Sequence, residues 1–147
     1  ANNPLWIIRP PVIASATACP DFSGKQSLQK EQIASLPLGV RNDRNFELIE
    51  FKPNKQPIGK VENPQPFTTH TIELQKGDTI YVFTDGYADQ FGGEKGKKFK
   101  YKSLKELLLS IQEQTMEEQK ETLHTIFEKW KGDLEQVDDI CVIGVRI

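Results

Sequence analysis

The chain has little of what would tie it to extracellular, zinc-dependent or membrane roles. Its 147 residues include two cysteines. Cys19 and Cys141 stand far apart without metal-type spacing, which excludes a disulfide framework and a thiolate zinc site and makes them cytosolic thiols. No apolar run approaches the roughly 18 to 20 residues that cross a bilayer, and no charged leader with an apolar core marks a secretory signal. The segment is therefore expected to be cytoplasmic and to make no membrane contact. Charge of one sign is also lacking: 19 Lys and Arg stand against 21 Asp and Glu, net −2, so no overall field favours nucleic acid. Apolar residues make up 37% of the chain, below the globular average, so part of it is expected to be loop around the core of one domain-sized unit.

The pattern along the chain separates these parts. ANNPLWIIR (1–9) has no initiator Met and enters Leu5-Trp6-Ile7-Ile8, an apolar run of strand length, almost at once. It reads as the start of a piece that opens partway through a domain. Residues 10–44 are rich in Pro and small polar residues without a sustained period, which suggests an insertion loop with at most a short helix over 28–35. Phe46, Leu48, Ile49 and Phe51 mark a strand that ends at Lys52-Pro53-Asn54. TTHTIEL (68–74) alternates, and after Lys76-Gly77-Asp78 it would pair as a hairpin with the more apolar TIYVFT (79–84), expected to be a central strand.

Two helices follow. Ser103 with Glu106, and Thr115 with Glu118, each read as a capping box. Leu104, Leu107, Leu108 and Ile111 mark one apolar stripe, and Leu123, Ile126, Phe127 and Trp130 a second that closes near Gly132. The chain ends in ICVIGV (140–145), apolar on both faces and so expected to be a buried strand in which Cys141 is inert. Strands, two helices and a strand give an α+β architecture, a mostly antiparallel sheet packed against two consecutive α-helices.

Carboxylates stand at two strand ends: Asp85 after YVFT, and Asp138-Asp139 before ICVIGV. Clustered carboxylates without His or Cys suit hard cations such as Mg²⁺ or Mn²⁺, which take oxygen ligands, and a pair of such ions can clamp a phosphate. The alternative at this level is turn chemistry and solvated acids flanking buried strands, since Asp-Gly is a common hairpin turn. Phe91 to Lys105 carries six Lys against one Glu, while 106–139 carries ten acids against three Lys. The basic stretch, with Lys97 and Lys98 at its centre, reads either as a flap steering an anionic partner or as a solvated mobile loop, the more ordinary use of exposed lysines. His70 shares a face with Ile72 and Leu74 and reads as a partly buried sheet histidine; Trp6 and Trp130 read as packing anchors.

PNKQPIG (53–59), FTTHTIELQKGDTIYVFTDGYADQFGG (67–93) and EQVDDICVIGVRI (135–147) resemble the C-terminal half of the SpoIIE-type PPM (metal-dependent, type 2C) serine/threonine phosphatases, and ANNPLWIIR is similar to a strand of that family. The order L-x-x-G-D, strand, T-D-G, two helices and D-D before a terminal strand carries the resemblance. It implies a truncated version of the family's αββα sandwich, with residues 1–147 as the C-terminal portion of the catalytic domain and 10–44 as an insertion. It further implies that Asp85 and Asp138 bind metal, with Gly86 and Asp139 in supporting places around them. Two Mn²⁺ or Mg²⁺ ions would serve the intact domain, where a metal-activated water attacks phosphoserine or phosphothreonine without a covalent phosphoenzyme. The family's remaining ligands, an Asp and an Asp-Gly from the N-terminal half, have no counterpart among Asp21, Asp43 and Asp78, so this chain is expected to carry half of the metal site and to be inactive alone. The implied partner is a phosphorylated regulatory protein of the anti-sigma-factor-antagonist type in bacterial signal transduction. The alternative is a pseudophosphatase, a regulatory protein-interaction module without turnover. A haloacid-dehalogenase-like enzyme is disfavoured, because Asp85 is followed by Gly86-Tyr87 where a D-x-D-x-T motif would be needed. Exposed sheet edges and apolar surface are expected in such a piece, with a homodimer or strand exchange as their consequence.

Overall fold

The computed structural model describes residues 3–11, 46–56, 60 and 62–147. The proposed insertion, apart from its first two residues, and the short helix over 28–35 lie outside the described residues. Strand β1 (Leu5–Arg9), β2 (Glu47–Phe51), β3 (Thr79–Phe83) and β6 (Val142–Arg146) form one four-stranded sheet in the order β2-β1-β3-β6, antiparallel throughout. Between β3 and β6 the chain forms a one-turn helix α1 (Gly86–Asp89), a two-stranded hairpin β4 (Phe91–Gly92) and β5 (Lys97–Lys98), and helices α2 (Tyr101–Ser110) and α3 (Met116–Lys131). The expected α+β class and central β3 are what the protein has.

Side-chain alternation directs Trp6, Ile8, Tyr81 and Phe83 to the helical face of the sheet. There they pack with Tyr87, Phe99, Leu104, Leu108, Ile111, Leu123 and Phe127. The two helical stripes read from the sequence are thus the core, and full burial of a side chain such as Leu104 stabilises by about 1.5–3 kcal/mol. Trp6 meets Phe83 edge-on with ring centroids 4.5 Å apart. A buried polar chain crosses this layer: Gln112 Nε2 donates to the Tyr81 hydroxyl at 2.7 Å, and that hydroxyl donates to Gln119 Oε1. At the far end of the sheet Arg9 makes a bidentate pair with Asp78, Nε to Oδ1 at 3.0 Å and Nη2 to Oδ2 at 2.8 Å.

Four local expectations are corrected. TTHTIEL is not a strand: β1 and β6 occupy both sides of β3, so the hairpin partner is displaced by non-local pairing. This segment is instead held through side chains, with Asn54 Oδ1 accepting from the Thr68 N–H at 3.0 Å and Arg9 Nη2 donating to the Glu73 carbonyl at 3.1 Å. His70 is accordingly exposed and touches Phe51, ring centroids 5.6 Å apart, instead of lying half-buried in a sheet. The first capping box is absent because α2 starts three residues early: Lys100 is its N-cap and Ser103 falls inside the first turn, while Tyr101 packs on Trp6 and Phe83. Thr115 and Glu118 do form the second box. Finally, β6 is a sheet edge, so Ile143 and Val145 stay about half exposed and Cys141 is exposed. Being apolar on both faces did not bury it, because only one face meets the helices. Among the described residues no helix is long and apolar enough to cross a membrane.

Candidate metal centre

Antiparallel pairing of β3 with β6 aligns Phe83 with Val142, so the residues after β3 run beside those before β6. Thr84 joins them. Its N–H donates to the Cys141 carbonyl at 3.0 Å, its hydroxyl donates to the Asp139 carbonyl at 2.8 Å, and the same hydroxyl accepts from the Cys141 N–H at 3.0 Å. Gly86 completes the contact. A Cβ there would stand 2.5 Å from the Asp139 carbonyl oxygen, far inside van der Waals contact, so only glycine lets the two backbones approach this closely. Asp85, half-buried, sits between these two residues as the N-cap position of α1.

The pair Asp138-Asp139 is exposed on the turn that faces this junction. Asp138 shapes the turn: its Oδ1 accepts from the Asp139 N–H at 2.8 Å, and its carbonyl accepts from Gln136 Nε2 at 2.8 Å. The structure therefore brings Thr84 and Gly86, the two neighbours of Asp85, against Asp139 through backbone contact, with Asp138 one residue further out. Among the described residues no group of three or more His, Cys, Asp or Glu side chains converges as a complete cation site. Two acids on adjoining turns, one half-buried and one exposed, fit a divalent cation as part of an oxygen-ligand set that needs further ligands.

The predicted basic residues are placed differently from one another. Lys97 and Lys98 form β5 and are both exposed. Lys98 Nζ lies 3.1 Å from Asp89 Oδ2 and 5.7 Å from the Phe91 ring centroid. Asp89 follows Asp85 by one helical turn, a spacing that the sequence offered and that reads as significant only once α1 is seen as a helix. Tyr101 lies against the same corner; burial first, then the nearby Asp85 and Asp89 carboxylates, pushes its phenol up from the usual tyrosine range. Asn3, two residues before the Leu5 that pairs with Val82, lies toward this end of the sheet with its Oδ1 buried and unpartnered. A side-chain amide carries no sequence signature that would have marked it.

A family model for Stage II sporulation protein E (SpoIIE) matches residues 32–147. The chain belongs to the SpoIIE family. Phosphatases of this PPM family use divalent Mn or Mg. Among solved structures the SpoIIE-family chain is similar to the SiaA-PP2C domain of Pseudomonas aeruginosa, with 30% identity and a TM-score of 0.62 over 69% of this chain. It spans 39% of the length of that structure. No curated protein matches the chain.

Proposed function

We propose that the intact protein hydrolyses phosphoserine or phosphothreonine on a regulatory protein of the anti-sigma-factor-antagonist type, and that residues 1–147 are the C-terminal portion of its catalytic domain. The observation that supports this reading is the junction of Thr84 and Gly86 with Asp139 to Cys141, which holds the turn that carries Asp85 against the backbone that follows Asp138. Asp85 and Asp138 would hold the cation. When bound, a divalent ion lowers the pKa of a coordinated water and neutralises phosphate charge. The chain's own part is to fix the acids. Thr84 ties the two turns together, Gly86 lets them touch, and Asp139 contributes its backbone carbonyl to the tie.

Since two acids do not complete a cation site, this chain alone is assigned half of the centre. Titration of the isolated chain with Mn²⁺ in a calorimeter should show weak binding; tight uptake of two ions would defeat the assignment. In the intact protein Asp85→Asn should abolish turnover, and unchanged turnover would defeat the phosphatase reading. The lack of a three-acid cluster among the described residues favours one alternative, a regulatory interaction module without turnover. That alternative predicts that the intact protein, with Mn²⁺ present, releases no phosphate from any phosphoprotein or aryl phosphate.

A further inference from the structure

The basic hairpin is not the loose loop that its composition suggests. The Gly93 N–H donates to the Trp130 carbonyl at 2.9 Å, and a Cβ at Gly92 would stand 1.9 Å from that same oxygen, so the hairpin lies directly on the end of α3. On its other side the Phe99 N–H donates to the Gln90 carbonyl at 2.9 Å and the Lys100 N–H to the Ala88 carbonyl at 2.7 Å, which fixes it to α1. Lys100 adopts φ 74° and ψ 148° to make this connection, a backbone region that favours glycine. Backbone bonds hold this frame on two sides, and it carries Lys98 to α1.

Within that frame Asp89 lies one turn beyond Asp85, its N–H donating to the Asp85 carbonyl at 2.9 Å, so the two carboxylates project from one side of α1. Asp89 Oδ2 holds Lys98 Nζ at 3.1 Å, and the Phe91 ring lies beneath the ammonium. We infer that Lys98 is a phosphate-binding residue of the Asp85 site and that Asp89 is its positioning residue. The inference rests on the phosphatase reading above and adds to it a fixed contact in place of diffuse electrostatic steering.

The pair suits this use because it is weak and open. Its side chains are 44% and 43% exposed, and an ion pair so exposed to water contributes little to stability. A lysine ammonium has three N–H donors, so it can keep Asp89 and still donate to a phosphate oxygen. A phosphate monoester carries about −1.5 to −2 charge near neutral pH, against −1 for the aspartate, and so draws the ammonium more strongly. The opposing view is a surface ion pair that only pins the hairpin. That role is already filled by the backbone bonds to Trp130, Gln90 and Ala88.

The test uses the intact protein with Mn²⁺, p-nitrophenyl phosphate as substrate and inorganic phosphate as inhibitor. Lys98→Ala should raise both KM and the phosphate inhibition constant about tenfold, the loss expected for one charge-assisted hydrogen bond, with kcat carrying the smaller share. Lys98→Arg should recover most of it. Asp89→Asn should raise KM roughly threefold by releasing the ammonium, and Asp89→Glu should restore it. Urea midpoints check the fold, and if Lys98→Ala shifts its midpoint, Lys98→Gln, which keeps the stem, is read in its place. Unchanged KM and phosphate inhibition in the folded Lys98 variant overturn the inference. Asp85→Asn separates the two levels: retained turnover there sinks the phosphatase reading, whereas lost turnover beside an unaffected Lys98 variant sinks only the role of Lys98.

Discussion

Replacing Gly86 with alanine tests the junction on which the site depends. The new Cβ would lie 2.5 Å from the Asp139 carbonyl oxygen, and 3.1 Å from both its carbonyl carbon and Ile140 Cγ1. Ordinary contact begins at 3.4 Å, so the Asp139 backbone must retreat by about 0.9 Å, an overpacking strain. The same carbonyl accepts from Thr84 Oγ1 at 2.8 Å, and a retreat of that size can carry it beyond hydrogen-bond reach. Strain and the lost bond together cost about 2–4 kcal/mol, which for a chain of this length lowers Tm by roughly 5–15 °C. Urea unfolding followed by the fluorescence of Trp6 and Trp130 measures the stability loss. In the intact protein kcat/KM should fall on the order of a hundredfold, the usual result of a 1 Å misplacement of reacting groups. A Gly86→Ala variant with an unshifted midpoint and activity within about twofold would refute the claim that close backbone approach builds the site.

Two further outcomes concern the scaffold. Tyr81→Phe removes the hydroxyl that accepts from Gln112 and donates to Gln119, leaving two buried amides short of a partner, so stability should drop by about 1–3 kcal/mol in urea titrations; Gln119→Leu in the same background should recover part of it. The Arg9 hydrogen bonds, aided by the Gln75 N–H, hold the Asp78 carboxyl below its usual value of 3.8 against the effect of its burial. A depressed folded pKa means that this contribution is fully present above the unfolded value of 3.8 and is lost as pH falls through the lower folded value. Asp78→Asn should therefore lower stability at neutral pH and flatten its decline below pH 3.8, and an acid limb of unchanged steepness would contradict the assignment.

Local rules read correctly at several places where a residue's surroundings are set by its sequence neighbours, though not at Ser103 and Glu106, which fall inside α2. The Thr115–Glu118 box and the stop at Gly132 are of this kind, since cap geometry is closed within one turn. So are the apolar stripes of α2 and α3, which must be covered by something whatever the topology. The acids at the strand ends were visible as chemistry, but not as neighbours. Their adjacency depends on β3 pairing with β6 across more than fifty residues of intervening chain, and no local period encodes that choice.

The same non-local pairing explains the misreadings. Residues 68–74 alternate as a strand does, yet a strand exists only where an edge is free to accept it, and β1 and β6 had taken both edges of β3. The exposure of β6 and Cys141 follows from being last in that order, and the seating of the lysine hairpin on α3 from two glycines lying against Trp130. By itself the sequence determined which side chains of α2 and α3 are core, where α3 begins and ends, and which carboxylates could serve a cation. Only the tertiary structure decided that Thr84 and Gly86, on either side of Asp85, meet Asp139 and that Asp89 holds Lys98. Contacts between distant segments are selected by the packing of the whole sheet, which offers each strand edge to a single partner.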